Sequence, residues 1–379
     1  MSRLPHTICI TILLAALLAP DAISQISIPS GYEVHLLSIS SLPEGPSLAI
    51  DPANRHILYA AVGAWGPHSI VRIDLSGDTA TTSSFATGAY NLTGPDGEDN
   101  ALDSLFATAS GLAVLSTGEL IIVDNNEITG PPLVPGDTIY LARDLNGDGD
   151  ARDIVDVGGT PTPEVIELIT PINTLPGTGW GGFTGQQAEV DTSGNVYVVT
   201  ADGGGLGEVL RISSPLSSPS ITVFYEGLDY GAGLGFDQTG TLYVGNSSFP
   251  NPAGLLALRD LSVPPDGDAI DPDEMDIVSS GTLSGIYDIA LDKDDRLFVT
   301  NGNRVQLVDR ATGAVSDFAT FPSYYFLGDL VFDDPMKSFR PESGPNAARL
   351  IIADGDFDGC LTIIMPSPPT QAKFWTLYH

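Results

Sequence analysis

Residues 233–246 read GLGFDQTGTLYVGN. The first five are apolar and alternating, Asp237-Gln238-Thr239-Gly240 is turn chemistry, and Thr241-Leu242-Tyr243-Val244 is β-branched and aromatic. Two short strands around a tight turn follow from this pattern. The same pattern recurs as SLAIDPANRHILYAA (47–61), GLAVLSTGELIIVDN (111–125), AEVDTSGNVYVVTAD (188–202) and DIALDKDDRLFVTNG (288–302). A looser sixth copy joins DLVFDD (329–334) to RLIIADG (349–355) across an insert. Spacings of roughly 40–75 residues between copies point to stacked or radial units.

Gly31 to Ile39 forms a strand that belongs to no complete copy, while the last copy runs out after 360–365. A ring of sheets closes if the N-terminal strand supplies the missing outer strand of the last unit, which removes the free edge. The fold expected is therefore all-β, a six-bladed β-propeller of four-stranded blades with the N-terminal strand closing the last blade. The third strands are expected at 69–74 and 304–309, and a fourth at 221–225.

The 379 residues include 42 Gly, 29 Pro and 17% charged residues, too apolar a mixture for a disordered chain. Arg3, an apolar run over 8–19 and the small residues Ala22 and Ser24 read as an export leader of residues 1–24. The run is too short for a stable membrane span. The propeller is then expected over 25–368, with a tail at 369–379, in a soluble, secreted, monomeric protein. Cys9 leaves with the leader, so Cys360 has no partner for an intrachain disulfide.

The formal charge of −33 reflects scarce base, with lysine only at 293, 337 and 373. Such a surface repels nucleic acid and anionic lipid and attracts divalent cations; adaptation to a salty habitat is the other reading.

Two insertions resemble each other. One, LARDLNGDGDARD (141–153), places Asp144, Asn146 and Asp148 before Gly149 as D-x-N-x-D-G, with Asp150 and Asp153 following. Alternate oxygen-bearing side chains on a sharply turned loop suit Ca²⁺, which takes six to eight oxygens. The other, LRDLSVPPDGDAID (258–271), carries Asp266, Asp268 and Asp271. A third candidate is Asp354, Asp356 and Asp358 before Gly359. These loops resemble EF-hand, dockerin and thrombospondin type 3 calcium loops, though Val155 and Met365 stand where the closing acid belongs. The resemblance implies structural Ca²⁺, against the alternative of unliganded acidic turns. The polar residues that end the second strands, Asp124, Asp202, Asn246, Asn301 and Asp354 among them, are read as turn caps rather than a ligand rim.

No G-x-S-x-G, H-E-x-x-H, P-loop or C-x-x-C is present, and the few histidines lie near no obvious nucleophile. Trp180, in a glycine-rich run, is read as packing its own loop rather than stacking on a sugar.

The repeat resembles the NHL and SMP-30/gluconolactonase-like six-bladed propellers over nearly the whole chain after residue 24. The lactonase resemblance implies three metal ligands. Its E-x-P motif is matched by Glu44-Gly45-Pro46, its Asn-Gly falls at Ala232-Gly233, and its Asp-Gly falls at Tyr287-Asp288, displaced by one position. The opening IPSGYEVHLL also resembles quinoprotein sugar dehydrogenases, but no central histidine follows. The function expected is a secreted calcium-binding module for a small molecule, polysaccharide or protein. The alternative is a metal-dependent hydrolase or lyase whose site lies in the central channel, where Glu44, Ser110, Gln187, Ala232, Asp288 and Asp329 begin the inner strands.

Overall fold

In the computed structural model, Leu234 pairs with Val244 and Phe236 with Leu242 across an antiparallel ladder, so the deciding stretch folds as the hairpin its pattern predicts. The structure describes residues 26–38, 47–62, 68–76, 80–91, 101–106, 109–124, 138–169, 185–201, 207–246, 254–258, 275–280, 283, 285–323, 327–354 and 360–367.

Six four-stranded antiparallel sheets make the blades. Blade 1 holds β2 (Leu48–Ile50), β3 (Ile57–Val62), β4 (Ser69–Asp74) and β5 (Thr81–Ala86). Between blades 1 and 2 lies a separate hairpin, β6 (Gly88–Asn91) and β7 (Ala101–Leu105). Blade 2 runs β8 (Ala109–Val114), β9 (Leu120–Asp124), β10 (Thr138–Ala142) and β13 (Val165–Ile169). Its last two strands are separated by the hairpin β11 (Ile154–Val157) and β12 (Thr160–Pro163). Blade 3 comprises β14 (Gly185–Val190), β15 (Val196–Thr200), β16 (Gly207–Ser213) and β17 (Ser220–Leu228). Blade 4 comprises β18 (Gly231–Phe236), β19 (Leu242–Asn246), β20 (Gly254–Leu258) and β21 (Met275–Ser280). Blade 5 comprises β22 (Ile286–Leu291), β23 (Leu297–Asn301), β24 (Arg304–Val308) and β25 (Val315–Thr320). Blade 6 is β26 (Leu327–Phe332), β27 (Leu350–Asp354), β28 (Cys360–Pro366) and, on its outside, β1 (Tyr32–Ser38).

The N-terminal strand therefore closes the ring as expected. It pairs with β28 from Tyr32↔Pro366 to Ser38↔Cys360. Tyr32 anchors the seam: its ring lies 5.1 Å from Phe318 and 5.0 Å from Phe339, and its hydroxyl donates to the Phe339 carbonyl at 2.9 Å. Burying side chains of this size contributes about 1.5–3 kcal/mol each, enough to hold a strand that no chain continuity holds.

Period-2 alternation builds the core between blades. Leu112 packs with Ala49, Ile57 and Tyr59 of blade 1, whereas its neighbour Ala113 packs with Ala188, Val196 and Val198 of blade 3. One apolar strand thus feeds the seams on both sides, which explains why inner strands read as nearly continuous apolar runs.

The aspartate of the repeat is a turn cap. Asp51, Asp191, Asp237 and Asp292 each accept two backbone N–H groups of the turn that follows, at 2.8–3.1 Å. Asn246 also caps backbone, accepting from Asp229 and Tyr230 N–H at 3.0 and 3.1 Å. Blade 2 has Leu115 in place of the capping acid and still turns, because Leu115 N–H and C=O bond Glu119 and Gly118.

Among the described residues no helix is long and apolar enough to cross a membrane. The leader-like residues 1–24, the tail 369–379, Glu44, Trp180, Asp202, Asp266, Asp268, Asp271, Asp356 and Asp358 lie outside the described residues, as does the Asp354 side chain.

Candidate active site

The six inner strands surround a central cavity of about 300 Å³. Its wall is mostly apolar, with Gln187, Glu189 and Asp288 as its polar side chains.

The ladder between first and second strands slips near the start of five inner strands: between Ala109 and Gly111, Gly185 and Gln187, Ala232 and Leu234, Ile286 and Ile289, and Leu327 and Leu330. Bulges of this kind re-aim side chains. Simple alternation therefore does not carry through Asp288, and the one-position displacement seen in the sequence does not turn its carboxylate away from the channel. Two glycines allow the blades to approach at this level. A Cβ on Gly111 would lie 2.8 Å from the Gln187 Cα, and one on Gly233, at φ +71°, would lie 2.8 Å from the Asp288 Cα.

Asp288 and Asp329 link successive blades. The Asp288 Oδ2 accepts the Leu330 N–H of blade 6 at 2.9 Å, and the Asp288 N–H donates to the Thr300 hydroxyl at 2.9 Å. Asp329 Oδ2 accepts the Ser47 hydroxyl at 2.8 Å and the Leu48 N–H of blade 1 at 2.9 Å, and the Gln187 side chain hydrogen-bonds it as well. Both carboxylates are buried, 3% and 9% exposed, and no salt bridge to either occurs among the described residues. Burial, with repulsion from Asp329, holds the Asp288 carboxyl well above its usual range. Burial raises Asp329 to about 6, the hydrogen bonds from Gln187, Leu48 and Ser47 working against the rise. Glu189, one turn of the pleat further along β14, is pushed up to about 7 by burial, opposed by the Val190 N–H at 3.1 Å.

Of the axial residues predicted from the sequence, Gln187, Asp288 and Asp329 come together here. Ser110 is engaged elsewhere, its hydroxyl donating to the Gly185 carbonyl at 2.6 Å, and Ala232 offers no donor. Glu44 lies outside the described residues. The three-ligand metal set that the resemblance implies is thus incomplete among the described residues, since Asp288 alone stands at its place and its Oδ2 already holds an amide. Ser47 and Glu189 were not anticipated. Glu189 carried a readable signal, a charge in an inner strand whose counterparts are small and apolar.

The acidic loop of blade 2 is arranged differently. Asp144 accepts the Gly147 and Gly149 N–H groups at 2.6 and 2.9 Å. The Asn146 amide donates to Asp148 and Asp153 at 3.0 and 3.1 Å, while Asp150 takes a two-pronged ion pair from Arg152. Beneath the loop the fully buried Glu164 accepts the Leu145 and Asp153 N–H groups at 2.7 and 3.0 Å. The oxygen donors suit a hard cation, but they are turned to the loop's own amides. No group of three His, Cys, Asp or Glu among the described residues converges on a metal position.

No protein-family profile matches the sequence, and no curated protein is significantly similar to it. Solved structures do match in fold. A gluconolactonase from Xanthomonas campestris is 15% identical, with a TM-score of 0.52 over 88% of this chain and 90% of the other. The PQQ-bound aldose sugar dehydrogenase of Streptomyces coelicolor is 14% identical, with a TM-score of 0.54 over 89% of this chain and 99% of the other. Regucalcin from Agrobacterium tumefaciens, a calcium-binding protein, is 14% identical, with a TM-score of 0.51 over 86% and 90%. These neighbours correct the functional expectation. They are named as a gluconolactonase, a sugar dehydrogenase and a calcium-binding protein, and a non-catalytic binding or surface-associated module is not what they favour. By fold, the chain is a six-bladed β-propeller, similar to the gluconolactonase and regucalcin structures.

Proposed function

We propose that the protein is a lactonase-like hydrolase of small cyclic esters, with its site at the Asp288 end of the central channel. The observation that carries this reading is the buried carboxylate pair, of which Asp288 lines the cavity while Asp329 stands behind it on the next blade. With Asp329 titrating near 6, its ionised form keeps the proton on Asp288 at neutral pH. A carboxyl held neutral in this way donates its proton to the ring oxygen as a water molecule adds to the ester carbonyl carbon and the C–O bond breaks, the water's proton passing to solvent. The gluconolactonase neighbour supports a lactone as the ester.

The calcium reading belongs to the same proposal in a limited form. We assign the loop of Asp144, Asn146, Asp148, Asp150 and Asp153 as the segment most suited to Ca²⁺, with the regucalcin neighbour in support, and route no step of hydrolysis through it. Export through residues 1–24 is likewise inferred from sequence.

The test is a panel of sugar and aliphatic lactones, assayed at pH 7 with wild type and Asp288→Asn. Wild type is expected to hydrolyse at least one lactone, with the variant slower by about a hundredfold or more, the range for loss of a general acid. A panel left untouched by wild type removes the reading.

A further inference from the structure

The inner strands can be aligned on the residue that opens each turn: Asp51, Leu115, Asp191, Asp237, Asp292 and Asp333. Two positions earlier stand Ala49, Ala113, Glu189, Gly235, Ala290 and Val331, all lining the cavity. Five of the six are small and uncharged. Glu189 alone carries a charge into this ring, and the next level beyond it is wholly apolar, with Ile50, Val114, Phe236, Leu291 and Phe332.

We propose that the central channel binds a ligand made of an apolar body and a protonated amine, and that Glu189 is the group that pairs with the amine. The proposal rests on the channel being the functional site, and names the kind of molecule that enters it.

Four observations support it. Among the described residues the cavity is lined by no lysine, arginine or histidine, so the half-buried Glu189 carboxylate has no counter-ion in that wall. Glu189 accepts a single hydrogen bond among the described residues, from its own neighbour Val190, which leaves most of its acceptor capacity facing the cavity. Alanine and glycine around it leave width for a ring or short chain, and a volume of about 300 Å³ is at the small end of ligand sites. The chain's net charge of −33 favours a cation entering over a neutral or anionic ligand.

A metal ion fits less well at this level. One carboxylate supplies at most two of the six to eight oxygens Ca²⁺ needs, and the Oδ2 of the nearest other acid, Asp288, holds the Leu330 amide. An ammonium group brings three donors and needs only a few acceptors.

The other ionisable groups around Glu189 are few. Asp288 on β22 interacts with it electrostatically, and Asp329 on β26 stands behind Asp288 rather than in the cavity wall. Tyr197, its register partner on β15, turns its hydroxyl toward Asp191, and Asp124 ends β9. The strands β8 and β18 present none. With Glu189 near 7 in the free protein, an ammonium ligand draws off its proton. Affinity for the amine then rises about tenfold from pH 6 to pH 8, because only the carboxylate form pairs with it.

The experiment is calorimetric titration of the full chain with benzylammonium and with benzyl alcohol, its neutral counterpart, at pH 6 and pH 8. Wild type is expected to bind the ammonium with the tenfold rise, to bind the alcohol at least tenfold more weakly, and to release about half a proton at pH 7 when buffers of different ionisation enthalpy are compared. Glu189→Gln, which keeps the shape and removes the charge, is expected to lose tenfold or more in ammonium affinity together with its pH dependence. Equal binding of ammonium and alcohol, an unchanged variant, or no ammonium binding at millimolar concentration overturns the proposal. The proton-release measurement on wild type decides the matter if the variant does not fold. Neither probe is an ester, so a failed lactone assay leaves this result standing, and failure here leaves hydrolysis at Asp288 untouched.

Discussion

The molecule has two acid-rich regions, and they use their carboxylates in opposite ways. The loop from Asp144 to Asp153 packs several acids into ten residues at the surface, where they cap loop amides or pair with Arg152. Among the described residues the channel holds three acids, spread over 140 residues of sequence, from Glu189 to Asp329. Yet it is in the channel that burial pushes Asp329 up to about 6 and Glu189 up to about 7, and holds Asp288 well above its usual range. Density of acid in the sequence marks solvated turn chemistry; isolation of an acid among apolar residues marks proton chemistry.

The strongest way to break this comparison is to open the ring. Deleting residues 26–38 strips β1 from blade 6, exposes the β28 edge and removes Tyr32 from its aromatic neighbours. Cooperative unfolding is expected to disappear or the protein to aggregate. A truncated chain with the same sharp thermal transition would show that the channel does not depend on closure.

Next in size is the pH dependence of stability. Asp329 holds its proton to about 6 in the fold and to about 3.8 when unfolded. Between these values the folded protein binds more protons than the unfolded chain, so stability falls as pH rises from 4 to 6 and levels off above. Two units correspond to about 3 kcal/mol. Asp329→Asn is expected to flatten that part of a urea-denaturation profile; a difference profile that rises instead would mean Asp329 is stabilised as a charge. Asp288, also raised by burial, acts with the same sign.

A pair of glycine substitutions sharpens the contrast locally. Gly233→Ala places a Cβ against the Asp288 backbone at a positive φ and is expected to cost roughly 2–3 kcal/mol. Gly147→Ala in the acidic loop has a similar φ of +78° but open space around it, and is expected to cost about 1 kcal/mol. Equal costs from chemical denaturation would mean the blades part easily at the channel.

The smallest effect expected is calcium's. Millimolar Ca²⁺ should raise the melting temperature by about 2 °C, since the ion must compete with amides that already hold the loop carboxylates. Asp148→Ala should remove the rise. Sodium chloride at matched ionic strength giving the same rise would assign it to screening.

Much of the fold was legible because the hairpin pattern is local. Alternation, turn aspartates and β-branched second strands lie within fifteen residues of each other, and the unpaired first strand pointed to its own place in blade 6. The site was only half legible. Asp288 and Asp329 were found from their positions at strand starts, but simple alternation would turn an acid displaced by one residue to the other face, and only the bulge at Ile286–Ile289 resets it. Glu189 was passed over in favour of the acidic loops, since composition draws attention to clusters.

Sequence alone determined the blade count, the closure and the capping role of the repeated aspartates, because each depends on contacts between residues close in the chain or on one unmatched strand. Tertiary structure alone decided which carboxylates are chemically distinct. Asp329 meets Ser47 across 282 residues and Asp288 meets Leu330 across 42. The loss of water that sets their proton affinity arises only when six inner strands converge on one axis.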